Sequence, residues 1–379
     1  MDNNLKHMLR ISKATVKANK MLNVTVDRVN EDAALDTIQI LNDNTCPVFY
    51  GVKNTKAIRR KYLNNLSKHN KYVWHTLDCM ADGGRAIDIR LTNPLTGKIM
   101  TGSSSATAIN VLYGINDVGI GTDGGGSVLA PAISLNLCSI MAKGMGLKAD
   151  YSKKSTDGID FTAGIGVISH SLKMAEDCIY NMVDIKLTNE NYNKGNLKVI
   201  KIAVPCFGNI TLPSGKDMRD SLSDSISFMK QQNGLEIYEE KFPDFQNRED
   251  SIIRVTKLLC KYDILITMEG PIDLEGFGDS VFGNMGFYAK KVQNRSGKYL
   301  VKIANMVNAT AVTIPVNEVA TGIVMVSREG INNGITLIKL ARQLSENYIM
   351  PELYIDYFKY SYLRRRNELI FNVNGDENS

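Results

Sequence analysis

The chain has no run of about 18 apolar residues, the length a helix needs to cross a bilayer, so no transmembrane helix is expected. Its first segment, Met1 to Lys20, is polar and basic without an apolar core and does not read as a secretory signal. Cysteine is sparse. Cys46, Cys79, Cys138, Cys178, Cys206 and Cys260 form no C-x-x-C pair, and most sit beside apolar neighbours, as reduced core thiols do. That pattern argues against a disulfide framework and against structural zinc, and it points to a cytoplasmic protein with no metal and no cofactor. Histidine is scarcer still: His7, His69, His75 and His170 stand in no triad arrangement, and G-x-S-x-G is missing. An excess of one charge is also lacking, with 45 basic against 40 acidic side chains and a net charge of +5. The one dense basic run, Arg364 to Arg366, reads as a solvated face or an ion-pair cluster. Neither a nucleic acid nor a membrane surface is the expected partner.

The chain has the make-up of an ordinary globular protein, 44% hydrophobic and 22% charged over 379 residues. A single domain of that size buries roughly three quarters of the surface its unfolded chain exposes. Residues 8–40 show helical spacing with few breakers. Pro47 to Val52 is a short apolar run bounded by turn residues and reads as a strand, followed by a basic amphipathic helix over 58–66. The glycine-, asparagine- and proline-rich stretch from Asp82 to Gly102 reads as loop. A helix over 105–113 and a strand over 118–121 follow. Further strands are expected over 197–204, 235–238, 262–268, 312–315 and 322–326, with helices over 218–229 and 334–345. Strands alternating with helices argue for an α/β fold, a large mixed central sheet flanked by helices on both faces. One domain is expected over 1–350. A C-terminal extension over 351–379 carries Tyr354, Tyr357, Phe358, Tyr360 and Tyr362 and ends in a polar stretch, 372–379, with the composition of a disordered tail. Its aromatics suit either packing of an added helix or a partner interface.

The chemistry concentrates between Thr101 and Ala132. Gly102 is followed by three serines, Ser103, Ser104 and Ser105, and Gly121-Thr122-Asp123 leads through Gly124, Gly125 and Gly126 to Ser127. Successive glycines let backbone N–H groups converge on one point, which suits a developing oxyanion. A serine directly after such a nest can attack a carbonyl whose oxygen falls into it. Gly119 to Gly124 also matches G-x-G-x-x-G formally, but that fingerprint must open a helix, and Gly125, Gly126 and Pro131 oppose one. On the local pattern alone, a glycine-rich loop without chemistry stays open beside the nest.

This stretch resembles the amidase signature family, whose hallmark is a Gly-Ser-Ser segment followed by Gly-Thr/Ser-Asp-x-Gly-Gly-Ser. The resemblance runs on in family order. Tyr50-Gly-Val-Lys53 is similar to the strand that ends in the family's lysine, and Asn93-Pro94 precedes the serines as it does there. Gly164 to Asp177, Tyr262 to Thr267 and Ala311 to Ala341 are similar to later core segments. The resemblance implies an amidase: Ser127 as nucleophile, Ser103 as bridging serine, Lys53 as base, and the N–H groups of Gly124, Gly125 and Gly126 as oxyanion hole. It implies supporting roles for Gly102, Ser104 and Asp123, and a cis peptide bond between Gly102 and Ser103. A lysine base needs its pKa lowered towards neutrality, which burial against apolar strands supplies.

The sequence departs from the family pattern at several places. Asn54 follows Lys53 where aspartate is usual, the segment between Lys53 and Ser103 is short, and Leu129 stands in place of the common arginine. A shortened segment implies an open cleft that admits a peptide-like or other bulky amide as well as a small one. The alternatives are a glutaminase-type subunit that works with a partner, and a silent scaffold of the same fold. A homo-oligomer stays open beside a partner subunit.

Overall fold

The computed structural model describes residues 3–185 and 199–359. Its first strands are β1 (Val26–Val29), β2 (Val48–Lys53), β3 (Tyr72–Asp78), β4 (Ile87–Thr92), β5 (Ile99–Thr101) and β6 (Val118–Asp123). After them come β7 (Cys138–Met141), β8 (Lys148–Lys154) and β9 (Asp160–Ser169). The second half supplies β10 (Ile200–Pro205), β11 (Leu235–Glu240), β12 (Ile264–Glu269), β13 (Thr310–Pro315) and β14 (Gly322–Ser327). Twelve of these strands form one mixed sheet in the order β1-β3-β2-β6-β9-β7-β13-β14-β12-β10-β11, with β8 paired to β9, while β4 and β5 form a separate hairpin. Helices flank the sheet, so the large mixed α/β sheet read from the sequence is the fold that forms.

The parallel pairing of β2 with β6 positions the site. Tyr50 is level with Val118 and Val52 with Ile120, so both strands run the same way and end on the same edge of the sheet. Lys53 closes β2 and Asp123 closes β6. Five of the six β2 residues and all six of β6 are buried. That explains why both strands read as continuous apolar or small-residue runs rather than alternating ones. The crevice outside the carboxyl ends of parallel strands is where open α/β sheets bind ligands.

The helix Ser105–Leu112 lies under this edge with every residue buried. Ile109, Val111 and Leu112 join Met100, Val128, Leu135 and Ile168 in one apolar cluster. Burying each of the large aliphatic side chains contributes about 1.5–3 kcal/mol, so the serine turn that starts this helix rests on a rigid floor.

Three local readings are corrected. The helical stretch over 8–40 is interrupted: the helices Asn3–Lys20 and Ala33–Asn42 are separated by β1, whose Val26 and Val29 pair with Asp78 and Thr76 of β3. Short edge strands owe more to their partner than to their own propensity. The supposed loop 82–102 holds the β4–β5 hairpin, because the apolar alternation of Ile87, Ile89 and Leu91 is diluted by flanking glycine and proline. Finally, a helix does start just after Ser127, over Leu129–Ser134, with Pro131 at its third position. Proline is tolerated in a first helical turn, where its missing N–H has no partner to lose.

In the C-terminal extension, Tyr354 donates to the carbonyls of Leu135 (2.8 Å) and Asn136 (3.2 Å), and Phe358 packs beside it on the same cluster. Tyr357 is exposed. Tyr360, Tyr362, the Arg364–Arg366 run, the 372–379 tail and the first two residues of the 197–204 strand lie outside the described residues.

Candidate active site

Lys53 is 1% exposed, a rare state for a lysine unless hydrogen-bonded. Its Nζ lies 2.7 Å from Ser103 Oγ, 2.9 Å from Thr122 Oγ1 and 3.3 Å from Ser104 Oγ. These partners are three neutral hydroxyls and no carboxylate. Burial therefore dominates, and it pushes the ammonium from its ordinary 10.5 down to about 7; Lys153 adds to the fall and Asp123 opposes it. At neutral pH a large fraction of Lys53 is a free amine.

Ser103 and Ser104 sit in the turn between β5 and the helix Ser105–Leu112, with Ser104 at the N-cap. Gly102 takes φ +75°, the left-handed region glycine enters without strain. A β-carbon there would lie 2.7 Å from the Pro131 ring. This turn reverses the chain with a trans Gly102–Ser103 bond, which corrects the cis bond implied by the family resemblance. The cis bond among the described residues joins Gly270 to Pro271.

Ser127 is half-buried, and its Oγ accepts the Ser103 N–H at 3.3 Å. Lys53, Ser103 and Ser127 thus form a contiguous set, joined by a side-chain contact at one step and a backbone N–H at the other. Ser104 also donates to the Thr122 carbonyl (3.3 Å), which ties the serine turn to β6.

Asp123 holds the glycine turn. One carboxylate oxygen accepts Gly126 N–H at 2.7 Å; the other accepts Val128 N–H at 2.7 Å and Leu129 N–H at 3.3 Å. Burial pushes this acid up, and the three N–H bonds pull back. The N–H of Gly126 is therefore engaged inside the turn, which departs from its expected place in an oxyanion hole.

Two further contributors join the site, one from within the glycine-serine hallmark and one that no motif announces. Thr122 supplies the third hydroxyl on Lys53. Asn305, fully buried, donates through Nδ2 to the Gly124 carbonyl (3.1 Å) and the Thr162 carbonyl (3.2 Å), and accepts Gly164 N–H at 2.9 Å. A trans peptide sets its N–H opposite its C=O. By holding the Gly124 carbonyl, Asn305 turns the Gly125 N–H the other way. The histidines are elsewhere: His75 is buried against Thr15, Ile115 and Asn116.

No family model and no curated protein matches the sequence. Solved structures do match in fold. An amidase is 14% identical with a TM-score of 0.59, over 90% of this chain and 96% of that one. A 6-aminohexanoate cyclic dimer hydrolase is 12% identical with a TM-score of 0.59, over 93% of this chain and 96% of that one. One of the subunits of the glutamyl-tRNA(Gln) amidotransferase of Thermotoga maritima is 14% identical with a TM-score of 0.58, over 91% of this chain and 94% of that one. The chain has the amidase signature fold.

Proposed function

We propose that this chain hydrolyses a linear amide, small or peptide-like, with Ser127 as nucleophile, Ser103 as bridge and Lys53 as base, without metal or cofactor. The observation that carries this reading is Lys53: a buried amine with a pKa near 7, seated 2.7 Å from Ser103 Oγ beside a serine that follows a glycine turn. A serine hydroxyl attacks only when a neighbour takes its proton. The relay requires the Ser127 hydroxyl to meet Ser103 Oγ, and its Oγ already accepts the N–H of that same residue at 3.3 Å. The proton then passes from Ser127 to Ser103 while the Ser103 proton passes to Lys53. Ser127 bonds to the amide carbon, and the carbonyl oxygen takes up negative charge on the N–H groups of Gly124 and Gly125. Collapse of this intermediate breaks the C–N bond, the amine leaves with the proton returned through Ser103, and water releases the acid from the acyl-enzyme.

Incubation with a small fluorophosphonate, followed by peptide mass spectrometry, tests the reading. We expect covalent labelling at Ser127, with a rate that rises as pH passes through about 7 and levels above it, because the neutral amine is the active form. A folded protein that stays unlabelled, or is labelled elsewhere, would sink the nucleophile assignment and favour a scaffold. Fresh, unlabelled protein can then be assayed with linear amides and with glutamine, alone and with lysate-derived partners. Glutamine turnover that needs a second protein marks the subunit reading.

Asn305→Asp tests the peptide-orienting contact. The new oxygen faces two carbonyls that lose their donor, so the Gly124–Gly125 peptide is released. The labelling rate at Ser127 should fall about 10- to 100-fold, less than for outright loss of an oxyanion donor. An unchanged rate would remove Asn305 from the site.

A further inference from the structure

We propose that the amide cleaved here carries an anionic group, and that Arg248 is the residue that selects it. This rests on Ser127 being the nucleophile. Arg248 opens the helix Arg248–Lys261, and its guanidinium lies against the glycine turn: a β-carbon on Gly125 would be 2.1 Å from Arg248 Nη2. Bond lengths then bound the distance to the reaction. With about 1.5 Å each for Cα–Cβ and N–Cα, and about 2.9 Å from N to a bound oxygen, an oxyanion on the Gly125 N–H lies within about 8 Å of Nη2. A substrate charge a few bonds from the scissile carbonyl, as in a monoamide of succinate or glutarate, can span a distance of that order to Nη2.

The guanidinium has unused capacity. Nη1 shares its contact between the two oxygens of Asp157, at 3.2 and 3.3 Å, and Nη2 donates to the Lys302 carbonyl at 3.2 Å. Nε is buried and has no hydrogen-bond partner among the described residues. Arg248 is 22% exposed and Asp157 33%, so the pair is reachable from solvent. Asp157 sits in the turn between β8 and β9, where a substrate carboxylate can share or take its place on the planar fork.

The surrounding charge points the same way. Lys302 is beside Arg248, with its Nζ on the Phe245 carbonyl at 3.0 Å, and burial lowers it only to about 8, so it stays largely cationic at pH 7. Lys153 is close enough to depress Lys53. Against these three cations stand Asp157 and Glu269, a buried acid near Lys302 that burial pushes up to about 7; the Asp123 carboxylate is enclosed by the N–H groups of its own turn. A site with that balance gathers anions.

Competition against fluorophosphonate labelling reads this out without knowledge of the substrate. Succinate and glutarate are compared with their neutral diamides, on wild type, Arg248→Gln and Arg248→Lys, with the label located at Ser127. We expect the dicarboxylates to slow wild-type labelling at concentrations about tenfold or more below those needed for the diamides. Arg248→Gln should abolish that difference, Arg248→Lys should keep part of it, and added salt should shrink it. Equal protection by acids and diamides, no protection by either, or an acid preference that survives in Arg248→Gln would each overturn the proposal. Failure of wild type to label at Ser127 is a separate outcome, and it would overturn the nucleophile reading itself.

Discussion

Lys53→Met and Ser127→Ala should each lower amide hydrolysis, and fluorophosphonate labelling, about 10⁴-fold or more, and the double variant should lose no more than the worse single one. The non-additivity follows from the mechanism, because base and nucleophile act on one proton in one step. Methionine is close to lysine in length and carries no charge, so Lys53→Met keeps the volume at the end of β2 while removing the amine. It takes hydrogen bonds from Ser103, Ser104 and Thr122, and it also removes a polar group whose burial is unfavourable. These effects oppose each other, so the melting temperature should stay within roughly 5 °C of wild type. Loss of activity with retained melting separates chemistry from unfolding.

The same substitution has a second signature. Between about 7 and 10.5 the unfolded chain holds a proton on Lys53 that the folded chain lacks, so this group makes folding more favourable as pH rises through that window. Chemical denaturation at pH 7 and pH 10 should show that slope in wild type and a smaller one in Lys53→Met. Equal slopes would mean that the amine is not held at a lowered pKa.

What the sequence made legible was whatever lies close along the chain. The serine turn and the glycine turn are chain-local, and the parallel pairing of β2 with β6 brings Lys53 to them from a run whose burial is written in its composition. Asn305 reaches Gly124 across 181 positions, and Arg248 reaches Gly125 with no flanking pattern, so neither could be singled out beforehand. The missed strand β3 shows another reason. His75, Thr76 and Asp78 are polar yet fully buried: His75 pairs with Asn116, and Asp78 Oδ1 accepts from Thr76 and Asn110. Tyr72, Val73, Trp74 and Leu77 of this interior strand are apolar, but the polar residues set among them break the run. The engaged N–H of Gly126 was hidden as well, because a glycine run shows where backbone donors can converge and not which of them a neighbouring carboxylate takes.

Asp123→Asn should damage both stability and activity, in contrast to Lys53→Met. The two carboxylate oxygens accept three N–H groups from Gly126, Val128 and Leu129 inside a site that excludes water. An amide of the same shape keeps one oxygen and turns an NH₂ on the others. If the oxygen stays on Gly126, Val128 and Leu129 lose their acceptor; if it turns to them, Gly126 does. Each buried N–H left without a partner costs about 1–3 kcal/mol, so a loss of about 2–4 kcal/mol is expected in denaturant unfolding. The turn also sets the direction of the Ser127 side chain, and a displacement of about 1 Å at a reacting atom can cost about 100-fold in rate. Labelling of folded Asp123→Asn at Ser127 should therefore slow about 100-fold, with a pH dependence retained but moved below about 7, because Lys53 keeps its hydroxyl partners and loses the negative charge that holds its pKa up. A variant as stable as wild type, or one whose pH dependence disappears, would show that Asp123 does something other than hold the nucleophile's turn.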